Sequence, residues 1–249
     1  GANLAYLAFN TTRKPLDDPR VRRALALALD RQGMVAHLFA GRARLAESVI
    51  PEGFLGHDPA FRFPARDVAG DKALLKEAGL PDGFETTLWV MPNPRPYLPE
   101  PKRIAQAVQA NLAEIGVKAR ILSQDWGAYL DAVQSGKHDL CFMGWTTDNG
   151  DPDNFAYVLL DRDNATKGAA SNVSFYADEA VHGWLLEAQA TPDEAKRAAL
   201  YAKVMEKVRE DCPILPLAST DGLAATRAGV EGFKLHPVGI PILSRVKLR

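Results

Sequence analysis

Residues 144–155, GWTTDNGDPDNF, place three aspartates, two asparagines and a tryptophan directly behind the apolar run Leu140, Cys141, Phe142, Met143. Clustered carboxylates serve three chemistries. Hard cations take their oxygens, but a twelve-residue calcium loop needs alternating ligands, glycine at its sixth position and glutamate at its twelfth. Counted from Asp148, the chain supplies Gly150, Pro152, Asp153 and Leu159 instead. A carboxylate pair can also act as general acid and base, which would make the chain an α/β hydrolase using Asp148 and Asp151. Nothing in the sequence raises the pKa of either, and a turn rich in Gly, Pro and Asn suits Asx-turns at Asp151 and Asp153. The third chemistry is recognition. Asp148 can accept an ammonium group, Arg95 can grip a carboxylate with both arms of its guanidinium, and Tyr97, Trp126 and Trp145 can exclude water between them, which together suits a zwitterion. Such charge pairs gain strength only when shielded from water, so the site is expected to close.

Other chemistries lack their signatures. There is no G-x-S-x-G, P-loop, H-E-x-x-H or G-x-G-x-x-G segment, and the five histidines, His37, His57, His138, His182 and His236, are scattered and read as surface residues. Cys141 and Cys212 sit in apolar settings without metal-ligand spacing and read as buried thiols, with a disulfide between them left open. No metal is expected.

The elements that would hold these residues follow from periodicity. Asp17-Asp18-Pro19 opens a helix whose Val21, Ala24, Leu25 and Ala28 form one stripe, and further helices are expected over 31–39 and 72–78. The Pro- and Gly-rich stretch 51–64 reads as a surface connection. A strand over 84–91, a helix over 101–115, a strand over 117–122, a helix over 125–135 and a strand over 139–144 make a βαβαβ unit, the pattern of a parallel sheet in an α/β fold. Ligands of such sheets bind outside the carboxyl ends of the strands. Loops 92–97, 123–126 and 144–155 leave that edge, each with an aromatic residue. Helices over 178–189 and 192–210, a strand over 213–218, and strands within 232–249 limited to edge pairing by Pro237 and Pro241 complete the chain.

With 249 residues, 47% of them apolar, the chain can bury a substantial core. Thirty Lys plus Arg against 31 Asp plus Glu leave no basic footprint, so no nucleic acid partner is expected. No apolar run approaches a membrane span. The chain opens Gly1-Ala2-Asn3 without an initiator Met or signal peptide, which reads as a processed or excised segment.

Six segments together carry a resemblance: residues 6–11 (YLAFNT), 16–22 (LDDPRVR), 74–80 (LLKEAGL), Met91-Pro92 with Arg95-Pro96-Tyr97, Gln124-Asp125-Trp126, and Gly144-Trp145 with Asp148 to Pro152. In these the chain resembles the extracytoplasmic solute-binding proteins of peptide-importing ABC transporters, family 5, in the dipeptide-binding branch. The resemblance implies a periplasmic, non-enzymatic, monomeric receptor that captures dipeptides or short peptides and presents them to a membrane permease. It implies that Asp148 takes the peptide's α-amino group, that Arg95 pairs with its carboxylate and limits its length, and that Tyr97, Trp126, Met143, Gly144 and Trp145 line the pocket. No cofactor is implied; related proteins carry haem or antimicrobial peptides, so those cargoes stay open.

Family members are about twice as long and fold as two lobes around a hinge. The resemblance therefore implies a type II periplasmic-binding-protein lobe lacking most of its partner. Residues 1–10 would be a crossover strand from the missing first lobe, 11–222 the second α/β lobe, and 223–249 return strands belonging to the first. A cysteine pair that some relatives place around the loop after Phe155 is absent, with Asp161 and Tyr176 near those positions.

Overall fold

The structure, a computed structural model, describes residues 1–236 and 238–249, so the expectation on Pro237 lies outside the described residues. Six strands form one mixed sheet: β1 (Asn3–Phe9), β2 (Ala43–Leu45), β3 (Glu85–Trp89), β4 (Lys118–Leu122), β5 (Leu140–Thr146) and β6 (Ile214–Thr220), in the order β2-β6-β1-β5-β3-β4. The βαβαβ unit is present as expected. Helix α4 (Pro101–Ala113) links β3 to β4 and α5 (Trp126–Gln134) links β4 to β5, and β3 lies in the middle, parallel to both neighbours. The other half is antiparallel. β1 runs against β5 from Asn3 opposite Thr146 to Phe9 opposite Leu140, and against β6 on its other side.

Local chemistry explains where the helices start. The Asp18 side chain accepts the Arg20 N–H ahead of Pro19, opening α1 (Pro19–Ala28), and Asp30 accepts from Gly33 N to open α2 (Arg31–Leu38). Asp67 caps α3 (Val68–Glu77) in the same way through Gly70 N, so this helix begins one turn before the expected residue 72. In α4, Ile104, Ala105, Val108 and Leu112 are buried at helical spacing, and the chain turns into β4 through Gly116 at φ +81°. A Cβ on Gly116 would stand 2.7 Å from the Asp82 carbonyl oxygen, so only glycine lets the entries to β3 and β4 approach this closely.

The LDDPRVR segment is a scaffold. Arg22 is buried, and its guanidinium donates to the carbonyls of Leu16, Asp17 and Asp211, which ties the start of α1 to the end of α8 (Glu194–Asp211).

Three expectations change. First, 144–155 is not one loop: Gly144 and Trp145 belong to β5, and α6 (Asp153–Leu160) begins before Phe155, leaving 147–152 as the connection. The strand runs on because β1 offers it partners as far as Asn3, a pairing remote in sequence. Second, 51–64 is more than a surface connection. Phe61 and Phe63 are buried, and Phe54 meets Phe155 edge-on at 5.5 Å. Third, His138 is fully buried, with Nε2 2.9 Å from the Val173 carbonyl and no partner at Nδ1, and burial lowers its pKa to about 4. Both cysteines are free and buried, in line with the buried-thiol expectation.

Candidate ligand-binding site

The carboxyl ends of β3, β4 and β5 present the predicted residues. After β3 the chain folds on itself, with Arg95 and Leu98 exchanging backbone hydrogen bonds of 3.0 and 2.9 Å, which holds out Pro96 and Tyr97. The Arg95 guanidinium lies 3.7 Å from the ring centroid of Trp126, the first residue of α5. Trp126 in turn stacks on Tyr129 at 5.8 Å, and the Tyr129 hydroxyl donates to the Phe142 carbonyl in β5 at 2.5 Å. One column of side chains thus runs from the sheet out to the guanidinium.

Arg95 has no ion-pair partner among the described residues, and its Nε is shielded from water without an acceptor. That is a cation positioned by stacking, with its hydrogen-bonding face unused. Tyr97 lies over Gly144 so closely that a Cβ there would stand 2.2 Å from its ring. Burial pushes the Tyr97 phenol up in pKa, and the Arg95 charge offsets part of that. It stays a neutral donor.

Asp148 is exposed at the tip of the 147–152 connection, and no ion pair to it is present among the described residues. Its neighbours are used locally. Thr147 Oγ1 and Asn149 exchange hydrogen bonds of 2.6 and 3.1 Å, Asn149 Oδ1 accepts from Asp151 N, and Asp151 Oδ1 accepts from Asp153 N at 2.9 Å, the Asx-turn expected there. Asp151 also takes Arg197 at 2.8 and 3.0 Å; burial opposes its ionisation, but that guanidinium and the Asp153 N–H hold it below the ordinary carboxylate value. Asp153 makes no such turn and accepts from Gln189 instead, with burial raising its pKa. Asp148 is the carboxylate the loop leaves free.

The site residues do not share one hollow. Asp148 lines a cavity of about 1040 Å³ with Leu4, Phe54 and His57, whereas Arg95 lines a neighbouring one of about 600 Å³ with Thr146 and Thr220. The two meet at Asn3 and Val238. Strand alternation accounts for the split. Thr146 and Gly144 face the same side as their partners Asn3 and Ala5, while Trp145 and Met143 face the side of Leu4 and Tyr6. Trp145 is held there by its indole N–H on Asn154 Oδ1 at 2.8 Å. Tyr97, Trp126, Met143, Gly144 and Trp145 are not among the walls of either cavity. No pattern in the sequence brings Leu4, Phe54 or His57 near Asp148, because they come from β1 and from a stretch without periodicity.

Among the described residues, one group of side chains has metal-ligand chemistry. Asp161, Asp163 and His182 offer ligand atoms within 4.8 Å of one another, at the junction of α6 with α7 (Glu179–Ala190). Its buried member, Asp161, already accepts from Asp163 N at 2.8 Å and contacts His182 Nδ1 at 2.9 Å, so the group works as a clamp between helices. Close by, the Asn172 amide donates to the carbonyls of Asp161 and Tyr176 at 3.0 and 2.9 Å, closing this loop without cysteines.

The fold is that of a type II periplasmic binding protein lobe. The sequence matches the profile for bacterial extracellular solute-binding proteins, family 5 Middle, over residues 1–167, and the chain belongs to that family. It is 38% identical to a dipeptide-binding protein of Pseudomonas aeruginosa over 95% of this chain and 44% of that protein. It is 34% identical to heme-binding protein A of Haemophilus influenzae over 96% of this chain and 43% of that protein. The crystal structure of a dipeptide-binding protein from Pseudoalteromonas sp. SM9913 in complex with Met-Leu superposes with a TM-score of 0.87 at 30% identity, covering 99% of this chain and 48% of that one. The chain therefore spans about half the length of these relatives. They are binding proteins by name, and no helix among the described residues here is long and apolar enough to cross a membrane.

Proposed function

We propose that this chain is the ligand-gripping lobe of a periplasmic receptor that captures dipeptides or short peptides and delivers them to an ABC importer, without catalysing a reaction. The supporting observation is the Arg95 guanidinium, stacked on Trp126 at 3.7 Å and without a carboxylate partner among the described residues, on the same sheet edge as the exposed carboxylate of Asp148. A zwitterion laid across Asn3 between the two hollows would meet opposite charges at its ends. Met143 and Trp145 would border the Asp148 side, and Tyr97, Gly144 and Trp126 the Arg95 side.

β1, within the proposed 1–10 segment, pairs with β5 and β6 in the main sheet, and the proposed boundary at 222 rests on the segment 223–249. It forms two separate two-stranded ladders, β7 (Val230–Glu231) with β10 (Lys247–Leu248) and β8 (Lys234–Leu235) with β9 (Pro241–Ile242), outside the main sheet. Leu223, Ile240, Leu243 and Leu248 are between 62% and 81% exposed there, apolar surface that a first lobe would cover. This chain supplies one wall of such a cleft, so its affinity by itself is expected to be weak.

Calorimetry on the two-lobed protein tests the reading. A free-amine dipeptide should bind, Asp148→Asn should weaken it about tenfold or more, and Arg95→Ala should relax its length limit. Equal affinity for the N-acetylated dipeptide would refute the role of Asp148. Hydrolysis by Asp148 and Asp151 has less support, since Asp151 is engaged by Arg197 and kept ionised; recovery of intact ligand after long incubation is the expected result. A haem titration followed by its absorbance tests the cargo named for the Haemophilus relative.

A further inference from the structure

A third hollow, of about 720 Å³, lies among α1, α2, β2, the 62–66 segment and the end of α8. Five arginines and three acidic residues line it, in a chain whose formal net charge is −1. Most of these charges are already engaged. Arg31 is buried against Glu47 at 3.0 Å and against the carbonyls of Ala46 and Pro216, and Asp30 accepts the Gly33 N–H that opens α2. Arg66 turns out to Glu114 at 2.6 Å, and Arg209 to Glu206.

Two guanidiniums remain. Arg23, on α1, has no ion pair or hydrogen bond among the described residues, and its Nε is shielded from water without an acceptor. Arg62 gives only Nη1, to the carbonyls of Pro59 and Phe61 at 2.6 and 2.7 Å, and pairs with no carboxylate among the described residues. Among the described residues, two carboxylates of the lining have no ion pair: Asp30, which accepts only the Gly33 N–H, and Glu210, which is exposed. The remaining guanidinium N–H groups of Arg23 and Arg62 have no acceptor among the described residues, which suits an occupant that brings oxygens.

We propose that this hollow binds the phosphate group of a small molecule through Arg23 and Arg62. Geometry favours phosphate over carboxylate. One bidentate fork uses both oxygens of a carboxylate, whereas a tetrahedral phosphate keeps further oxygens for a second guanidinium arriving from another element. The volume exceeds a bare phosphate and lies in the range of small-molecule sites, so an organic phosphate monoester fits better than the free ion. The site is separate from the peptide reading, although Arg62 and Glu47 also form a wall of the Asp148 hollow.

The experiment is calorimetric titration of the 249-residue chain with inorganic phosphate, glycerol phosphate and acetate at constant ionic strength. Both phosphates should bind saturably, glycerol phosphate more tightly, and acetate should not. Arg23→Ala and Arg62→Ala should each weaken binding about tenfold, with Arg103→Ala on the exposed face of α4 unchanged. Because Arg62 is exposed, its variant reports even if Arg23→Ala fails to fold. Absence of saturable phosphate binding, equal binding of acetate, or equal binding by all variants would overturn the proposal.

Discussion

At the scale of single residues, position 144 leaves little room for any side chain. A methyl group there would stand 2.2 Å from Tyr97 Cδ2, a contact that the ring can relieve only by moving. Gly144→Ala is therefore expected to displace Tyr97 from the sheet edge beside Arg95. It should cost about 1–3 kcal/mol of stability, the range for overpacking a close contact, and weaken peptide binding in the two-lobed protein. Denaturant unfolding and calorimetry read the two effects separately; a variant unchanged in both would show that Tyr97 has room to shift. Arg95 is the complementary case. Its position comes from stacking rather than from an ion pair, so its charge is available to a ligand.

At the scale of elements, two buried titratable groups pull stability in opposite directions with pH. Asp71, in the first turn of α3, is buried, and burial raises its pKa from 3.8 to about 6 against a smaller opposing effect of the Lys72 N–H. The folded state binds that proton more tightly, so its contribution is complete below pH 3.8 and lost as pH rises through 6. His138, just ahead of β5, has its pKa lowered from 6.5 to about 4, so the unfolded chain takes the proton first. Its contribution is complete above pH 6.5 and lost as pH falls toward 4. Between pH 4 and 6 the two offset each other. Asp71→Asn should expose the histidine slope, losing about 1–2 kcal/mol on acidification through that window. His138→Gln, whose amide can still donate to the Val173 carbonyl, should show the reverse. Urea denaturation at several pH values checks both, and identical profiles for the three chains would contradict the assignment.

At the scale of the whole molecule, the six-stranded sheet ends with β6 at Thr220, and the strands beyond it pair only with one another. Removing residues 223–249 should leave one cooperative unfolding transition and change stability by less than about 1 kcal/mol, because the deletion breaks no ladder of the main sheet. A large loss, or a non-cooperative product, would place those strands in this lobe and not in a first one. The offset between the Asp148 and Arg95 hollows belongs to this scale too. Each residue stands where its own loop leaves the sheet, and the separation between them is a property of how β1 lies beside β5.

The sequence alone indicated the βαβαβ unit, the helix cap at Asp18 and the turn at Gly116, the burial of both cysteines, and the edge from which Arg95, Trp126 and Asp148 would emerge. The caps, turns and strand and helix periods arise from interactions between residues a few positions apart, and the cysteines were legible from the apolar residues beside them in the chain. Contacts across the chain decided the rest. Thr146 is a strand residue because Asn3 pairs with it, and Leu4 and Phe54 reach the Asp148 hollow from elements far away in the chain. His138 is buried because distant segments close over it, and Gly144 matters because the Tyr97 ring comes to rest on it. Pairing between strands as remote in sequence as β1 and β5 leaves no local pattern, so only the folded chain shows that the acid and the guanidinium occupy adjoining hollows on one rim.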